Sequence, residues 1–257
     1  MVYNMYQHCK GALCVLRPDA RCVGLKHIVN FSGGKDSTAM LLRMLEENMQ
    51  VDEIIFCNVK ATQQIGGELP EMYDYVNKIN NYIKQKYNKE ITVLFQEKSF
   101  EDYFYTKKIR GKRKGQIYGF PTLQGSWCND RLKVRVLNKY LKTKGNYISY
   151  IGIAADETER LKRLKSNECS MLEKWNMTEQ DCLEFLRERR LENPLYKRRK
   201  RLGCWFCPKQ NLATLKILKT EYPKLWEKLL QWQRDSPFPF KMNLTIYDLD
   251  RRFTKEN

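Results

Sequence analysis

The sequence predicts an α/β protein with a Rossmann-like, doubly wound parallel sheet and a small helical cap at the C-terminus. Three observations support this prediction. Short apolar runs alternate with amphipathic helical segments, as expected for βαβ units. The first run ends in a glycine-rich loop that opens a helix. With 257 residues and 42% hydrophobic content, the chain can also bury a substantial core.

The strands and helices follow in a regular order. Residues 27–31 form a short apolar strand, and apolar side chains between residues 39 and 45 crowd one face of the helix after it. Further strands are predicted at 53–58, 91–95 and 147–154, with a helix at 70–87 between the first two of these. Ligands of such sheets bind beyond the carboxyl ends of the strands, near the switch in strand order.

The loop after the first strand reads Ser32-Gly33-Gly34-Lys35-Asp36-Ser37-Thr38. Its glycines permit a close approach of the backbone, and the amides and dipole of the helix N-terminus favour an anion, most simply a phosphate. Lys35 adds positive charge, while Asp36 can hold Mg2+ against a polyphosphate. The spacing is neither that of a Walker A loop nor that of a dinucleotide fingerprint. A plain glycine turn with a helix cap is the alternative.

This loop resembles the PP-loop of the adenine nucleotide alpha hydrolases, and the chain is similar in particular to the phosphoadenylylsulfate (PAPS) reductase group. It is also similar to the ATP pyrophosphatases of DNA phosphorothioation. Matching motifs extend from about residue 25 to residue 210 in the order of the family. They are Gly67-Glu68-Leu69-Pro70-Glu71-Met72-Tyr73, Trp127-Cys128 with Arg131 and Lys133, Ile151-Gly152-Ile153-Ala154-Ala155-Asp156-Glu157 with Arg160, and Gly203-Cys204-Trp205-Phe206-Cys207-Pro208.

The resemblance implies a site for ATP with Mg2+, or for a sulfonucleotide. It implies Lys35, Asp36 and Arg160 as catalytic residues. It implies nucleotide contacts from Ser32, Gly33, Gly34, Lys35, Asp36, Ser37, Thr38, Asn58, Arg131, Lys133, Glu157 and Arg160. The segment 58–67 is longer than the compact turn of the family and lacks its acid, so the adenine and ribose contacts stay undefined.

The cysteines give a second hypothesis. A C-x-x-C pair such as Cys204 and Cys207 can ligate a metal or act as a dithiol. In the iron-sulfur branch of the family a double cysteine joins such a pair, and Trp127 stands where the first of the two would be. The resemblance thus implies three ligands of a four-iron, four-sulfur (4Fe-4S) cluster, Cys128, Cys204 and Cys207. Cys182, Cys169 or an open iron site would complete it; structural zinc or simple packing is the alternative.

Charge predicts a polyanionic partner. The chain carries 47 Lys and Arg against 30 Asp and Glu, a net charge of +17, concentrated at residues 107–114, 187–190 and 197–201. DNA or RNA would suit these runs, and aromatic rings interleaved with the first of them could stack on bases. A solvated surface is the alternative.

Three regions are predicted: an N-terminal extension (1–24), a PP-loop nucleotide-binding domain (25–165) and a helical region with the C-x-x-C (166–257). The extension contains His8, Cys9, Cys14 and Cys22, whose spacing we interpret as incidental and not as a zinc site. Without an apolar span or a signal segment, a cytoplasmic protein with no membrane partner is expected. Oligomeric state is not predicted.

The function predicted from these features is that of an ATP pyrophosphatase. It would cleave ATP at the α-phosphate to adenylate an acceptor, for sulfur transfer to a nucleic acid or nucleotide, with a cysteine desulfurase or another sulfur donor as partner. A PAPS or adenylylsulfate reductase is the first alternative, although the reductases carry a C-terminal nucleophilic cysteine and no cysteine follows Cys207. A non-catalytic nucleotide-binding subunit of a defence or modification complex is the second.

Overall fold

The computed structural model describes residues 24–122 and 126–256, which fall into two compact units. We call the first the sheet unit. It takes in the described residues up to Cys57, together with Glu71–Leu94 and Leu137–Pro194. The predicted N-terminal extension, except Gly24, lies outside the described residues.

A five-stranded sheet with strand order β3-β2-β1-β4-β5 forms the centre of the sheet unit. Strand β1 pairs in parallel with β2 on one side and with β4 on the other, and β5 pairs in parallel with β4. This confirms the predicted α/β, Rossmann-like fold. The strands are β1 (Lys26–Asn30), β2 (Glu53–Asn58), β3 (Ile91–Phe95), β4 (Tyr147–Ile151) and β5 (Glu168–Cys169).

The strand order places the switch point between β1 and β4. The crossover from β1 leads to β2 on one side of β1, and the crossover from β3 leads to β4 on its other side. A crevice therefore opens beyond the carboxyl ends of β1 and β4. The PP-loop follows β1, and the segment 152–157 follows β4. Both motifs therefore lie where a parallel sheet of this order binds its ligand.

Eleven α-helices occur among the described residues. They are α1 (Lys35–Glu46), α2 (Pro70–Tyr87), α3 (Phe100–Phe104), α4 (Trp127–Asn129), α5 (Arg135–Leu141), α6 (Thr158–Leu161), α7 (Met171–Lys174), α8 (Glu179–Glu188), α9 (Leu212–Glu221), α10 (Pro223–Asp235) and α11 (Ile246–Lys255). A π-helical turn (Asp130–Val134) joins α4 to α5, and short 3-10 turns occupy Lys142–Lys144 and Pro194–Lys197. None of the described helices is both long and apolar enough to cross a bilayer.

Helix α1 is the most deeply buried helix near the predicted site. Its apolar face is covered by α7 and α8, so it is fixed against the sheet unit along its length. At its C-terminal end, the guanidinium of Arg189 donates to both carboxylate oxygens of Glu46 at 2.9 and 3.0 Å. Thr178 and Asp181 form a capping box that starts α8. These contacts hold α8 in place beside the start of α1.

The second unit, which we call the aromatic unit, consists of Asn58–Pro70, Phe95–Val136 and the described residues from Leu195 onward. Its core is built from stacked rings. The ring of Phe100 lies 4.2 Å from that of Phe206 and 5.0 Å from that of Trp232, measured between centroids. Trp205 and Trp232 stack with their planes 7° apart.

The two units differ from the consecutive domains that the sequence predicts. Residues 166–194 contribute β5, α7 and α8 to the sheet unit. Residues 95–136, which the sequence places inside the nucleotide-binding domain (25–165), join the C-terminal helices in the aromatic unit. The physical reason is that Phe100 and Phe104 pack their rings against Trp232 from the C-terminal part of the chain, and Trp127 in turn stacks on Phe100.

We expect Trp232→Ala to lower the free energy of unfolding by about 3–5 kcal/mol, because it leaves a large cavity in the aromatic core. Trp232 is completely buried, and its Nε1 donates to Glu101 at 2.9 Å. Urea unfolding followed by tryptophan fluorescence and circular dichroism measures the change. Met242→Ala is the control, since Met242 is 75% exposed and should change stability little. Equal losses in the two variants would contradict the packing described.

Candidate functional site

The PP-loop is closed by hydrogen bonds among its own hydroxyl groups and backbone. The backbone N–H of Ser32 donates to Ser37 Oγ at 3.1 Å. The hydroxyls of Ser37 and Thr38 donate to the carbonyl of Gly34 at 3.1 and 2.8 Å. Helix α1 begins at Lys35, and the residue before it, Gly34, has no side chain to cap it. Because the amides of the first turn of a helix point out of its N-terminal end and carry the positive end of its dipole, this end of α1 suits a bound anion.

Two glycines are required by space. Gly33 has φ +74°, and a Cβ there would lie 2.6 Å from Met72 Sδ. At Gly152, which follows β4, a Cβ would lie 2.5 Å from the backbone N of Ser37. Asn193 adds a hydrogen bond from Nδ2 to the carbonyl of Gly33 at 3.2 Å. The loop is thus held from two sides, and the end of β4 lies directly against it.

Lys35 is surrounded by carboxylates. Its Nζ lies 3.2 Å from Asp36 Oδ1 and 3.0 Å from Glu179 Oε2. Asp36, Glu157 and Glu179 each offer an oxygen, and these three oxygens lie within 4.8 Å of one another. Oxygen ligands from several carboxylates are what Mg2+ and Ca2+ prefer. The group is suited to hold a divalent cation beside the PP-loop.

Burial acts most strongly on Asp36. Desolvation raises the pKa of this carboxyl, the charge of Lys35 partly offsets the rise, and Glu179 and Glu157 add to it. Asp36 Oδ1 is buried. The Lys35 ammonium lies 3.2 Å from it as an ion pair, but the oxygen accepts no hydrogen bond from the described residues. A bound cation would supply both the missing contact and the missing positive charge.

Arg160, a predicted catalytic residue, lies at the same place. Its Nη1 donates to both carboxylate oxygens of Glu157 at 2.6 Å. One of those oxygens also accepts from the backbone N–H of Ala154 at 3.3 Å. Because the Arg160 side chain is 53% exposed, it can leave this pair for a ligand phosphate at little cost.

The structure brings together the PP-loop residues, Glu157 and Arg160. Glu179 is a residue of this site that the sequence does not predict. The signal was present in the Thr178 to Asp181 capping box, which fixes Glu179 as the first residue of α8. Its role depends on the packing of α8 against α1, which local sequence does not reveal.

Three other predicted nucleotide contacts belong to the aromatic unit. Asn58 is the last residue of β2. The guanidinium of Arg131 lies 4.5 Å from the ring of Tyr118 and 5.1 Å from that of Tyr103, and its Nη2 donates to the Tyr118 hydroxyl at 2.7 Å. Lys133 Nζ lies 3.8 Å from Glu68 Oε1. Their assignment to the nucleotide stays a prediction.

Cys128, Cys204 and Cys207 line one cavity of about 320 Å³ in the aromatic unit, together with Lys133 and Phe206. Burial raises the pKa of Cys128 to about 11, with Cys207 adding to the rise. Burial, followed by the charge of Glu68, raises the pKa of Cys204 well above its usual value. In the absence of a metal these two thiols are therefore protonated at neutral pH.

The C-x-x-C turn is braced by backbone contacts. Trp205 donates from its backbone N to the carbonyl of Gly67 at 2.9 Å, and from Nε1 to that of Gly66 at 2.8 Å. On the other side, Lys241 Nζ donates to the carbonyls of Pro208 and Gln210. The turn thus keeps its shape through contacts that do not use the thiols.

Glu68 lies in the motif of residues 67–73 and has no predicted role of its own. Its carboxylate accepts a hydrogen bond from the Cys204 thiol, with 3.7 Å between Oε1 and Sγ. Cys182, predicted as a fourth ligand, is instead buried in α8 of the sheet unit. Burial, then the charge of Asp36, raises its pKa. Cys169 is buried at the end of β5. The described thiols that line the cavity are therefore the three predicted by resemblance, without Cys182.

A family model for the phosphoadenosine phosphosulfate reductase domain matches residues 26–210, which include the PP-loop, the segment after β4 and the C-x-x-C. The chain belongs to this family. Membership confirms the predicted resemblance and makes the protein one of the nucleotide-using PP-loop proteins.

The curated proteins that match this chain are distant in sequence. The uncharacterized protein MJ0066 of Methanocaldococcus jannaschii is 26% identical over 220 residues, or 78% of this chain. The uncharacterized nin region protein ORF290 of Escherichia phage lambda is 29% identical over 153 residues, or 53% of this chain. The alignments span only 40% and 50% of those two proteins.

Among solved structures, the U34-tRNA thiolase NcsA from Methanococcus maripaludis, with its 4Fe-4S cluster, is 15% identical, with a TM-score of 0.44, over 90% of this chain and 71% of that protein. The PAPS reductase from Candida auris, in a phosphate complex, is 17% identical, with a TM-score of 0.45, over 70% of this chain and 81% of that protein. At these values the likenesses carry no functional argument.

We expect Asp36→Asn to stabilise the metal-free protein at neutral pH. Because the pKa of Asp36 is raised in the folded state, its charged form destabilises the fold above the unfolded pKa of about 3.9 and not below it. The variant should therefore melt at a higher temperature than the wild type at pH 7, and this gain should disappear in acid. Thermal unfolding across pH measures this difference.

Mg2+ should raise the melting temperature of the wild type and leave the Asp36→Asn variant nearly unchanged. Asp74→Asn is the matched control, because Asp74 is exposed on α2. A variant that is less stable than the wild type at neutral pH would mean that the ion pair with Lys35 outweighs the burial of Asp36.

Proposed function

We propose that this protein is a PP-loop ATP pyrophosphatase that cleaves ATP between the α- and β-phosphates and adenylates an acceptor for sulfur transfer to a nucleic acid or nucleotide. Its place in the family supports use of an adenine nucleotide. The choice between ATP and a sulfonucleotide depends on the charges around the PP-loop.

The observation that carries the proposal is the group formed by Asp36, Glu157 and Glu179. These three carboxylates outnumber their two cationic partners, Lys35 and Arg160, so the group would disfavour a bare sulfonucleotide anion. They suit a polyphosphate whose oxygens share a divalent cation with the protein. ATP with Mg2+ meets that requirement, whereas the reduction of PAPS has no step that needs it.

Different residues of the site would contact different phosphates of ATP. The amides at the start of α1 and Lys35 would bind the β- and γ-phosphates and stabilise the charge that develops on pyrophosphate as it leaves. Lys35 would exchange part of its pairing with Asp36 and Glu179 for the phosphates once the cation neutralises those carboxylates. Arg160 would leave Glu157 to contact the α-phosphate.

The adenylation step balances as follows. An acceptor oxygen attacks the α-phosphorus, the bond from that phosphorus to the bridging oxygen breaks, and pyrophosphate leaves. Sulfide as the sulfur donor then attacks the activated carbon directly. A persulfide, which a cysteine desulfurase would supply, attacks through its outer sulfur, and a second thiol then cleaves the resulting S–S bond and ends as a disulfide. AMP departs with the original oxygen, so sulfur replaces oxygen on the acceptor. With water as the acceptor the products are AMP and pyrophosphate.

The thiols that line the cysteine cavity form a donor set that suits a metal ion or an iron-sulfur cluster. Cys128, Cys204 and Cys207 supply three sulfur ligands around one cavity, and ligation would replace the proton of each buried thiol. When bound, an iron-sulfur cluster with an open iron could hold the sulfur to be transferred, whereas zinc would serve structure.

Lys35→Ala should lower the rate of pyrophosphate release from ATP and Mg2+ by about 10²–10³-fold, because a cation at the leaving group is lost. Lys26→Ala, on β1, is the matched control. Pyrophosphate release is measured in parallel with sulfite release from PAPS in the presence of a thiol reductant. Sulfite without pyrophosphate would overturn the proposal in favour of a reductase, and neither product would favour a non-catalytic subunit.

Anaerobically purified wild-type protein should contain iron and acid-labile sulfide and absorb visible light. Cys204→Ala should lose all three, because it removes a ligand from the cavity. Cys182→Ala should keep them, because Cys182 lies beside Asp36 in the sheet unit. Stoichiometric zinc without iron in the wild type would contradict the cluster and indicate a structural zinc ion. Loss of iron from Cys182→Ala would show that Cys182 is a ligand after all.

A further inference from the structure

The most basic stretch of the aromatic unit folds into a hairpin, residues 106–118, which we call the basic hairpin. Lys107 and Ile117 form an antiparallel bridge. The backbone N–H of Lys108 donates to Gln116 at 2.8 Å, and that of Tyr118 donates to Thr106 at 3.0 Å. Backbone hydrogen bonds therefore join two short arms, residues 106–108 and 116–118, and the residues between them form a turn at the tip.

The charge on this hairpin is one-sided. Six of the eight residues from 107 to 114 are Lys or Arg, and no Asp or Glu occurs between residues 103 and 129. Lys107, Arg110, Lys112 and Lys114 are exposed to solvent. An acid-free cluster of this density has no internal counter-charge, so it attracts a polyanion.

Two of the cations anchor the hairpin instead of facing a partner. The Lys108 ammonium lies 4.8 Å, and the Arg113 guanidinium 4.5 Å, from the ring centre of Phe238. Phe238 is itself held by hydrogen bonds to Ser236 and Gln233. These contacts fix the base of the hairpin, which reduces the entropy that binding would otherwise cost.

The aromatic rings of the loop are not available to stack on bases, contrary to the expectation from sequence. Phe120 is 1% exposed, and Tyr118 is covered by Arg131 and lies 5.8 Å from Trp127 between ring centres. The large apolar side chain that does face solvent is Ile109, 78% exposed among the cations.

We propose that the basic hairpin is a DNA-binding arm that enters the major groove of duplex DNA. The major groove of DNA admits two paired arms with a narrow tip, while the major groove of an RNA duplex is too deep and narrow for side chains to read. Arg110, Lys112 and Lys114 contact the backbone phosphates, and Ile109 packs against base edges, where a thymine methyl offers apolar contact. The proposal rests on the proposed function only in taking a nucleic acid as the acceptor.

The test uses the full chain and a short fluorescein-labelled DNA duplex, with binding followed by fluorescence anisotropy from about 50 to 200 mM salt. Replacing Arg110, Lys112 and Lys114 together by Gln should reduce the slope of log affinity against log salt by about 3 and weaken binding on the order of 10²-fold. Ile109→Ala should weaken binding by about tenfold and leave the slope unchanged.

The matched control replaces Lys84, Lys139 and Lys142 by Gln, three exposed lysines with the same total charge. It should leave the slope nearly unchanged. An equal loss in control and hairpin variants would overturn the proposal in favour of attraction by net charge alone. Equal affinity for an RNA duplex of the same sequence would overturn the groove assignment, and unchanged binding by the hairpin variant would overturn the arm itself.

Pyrophosphate release from ATP without DNA is measured on the same variants and should match the wild type, since none of these residues belongs to the PP-loop site. DNA binding that survives in a protein without ATP cleavage would leave the arm intact and reject the proposed function. ATP cleavage without DNA binding by the wild type would do the reverse.

Discussion

The arrangement of the nucleotide site depends on one contact, the approach of the β4 end to the PP-loop. Gly152 lies so close to Ser37 that even a Cβ would collide with the backbone. This contact fixes the start of α1 relative to the segment that carries Glu157 and Arg160. Parallel pairing of β1 with β4 sets it up, because both strands then deliver their following loops to the same edge of the sheet.

The same geometry brings several negative charges close together. Packing α8 against α1 brings Glu179 to a lysine that already pairs with Asp36, while Glu157 completes the acidic group. Lys35 and Arg160 supply two positive charges against the three carboxylates, and the burial of Asp36 makes the remaining negative charge unfavourable. Under the proposed function, a divalent cation bound with the polyphosphate would neutralise that charge and stabilise the folded protein.

The sequence predicts the sheet unit well and the aromatic unit poorly, for physical reasons. Strands such as 53–58 and the helix 70–87 carry their periodicity locally, and the structure reproduces both to the residue. The PP-loop is recognisable in the sequence partly because Gly33, with φ +74° and Met72 beside it, occupies a position that requires glycine. By contrast, Glu68 and Glu179 gain their roles from packing between distant segments, which no local pattern encodes. The rings near 103–120 look like binding groups in sequence because composition cannot distinguish a core ring from an exposed one.

The aromatic unit is assembled from three separate stretches of the chain, and this has a consequence for synthesis. The brace between Gly67 and Trp205 joins residues 138 positions apart, and Trp232 and Lys241 must also be in place. A ribosome therefore releases Cys128 long before its cavity exists, and the nascent chain must wait for its last helices before the cysteines are enclosed. Such late, long-range closure is slow. By the time Cys204 and Cys207 are synthesised, every strand of the sheet unit has already left the ribosome, because the last of them ends at Cys169.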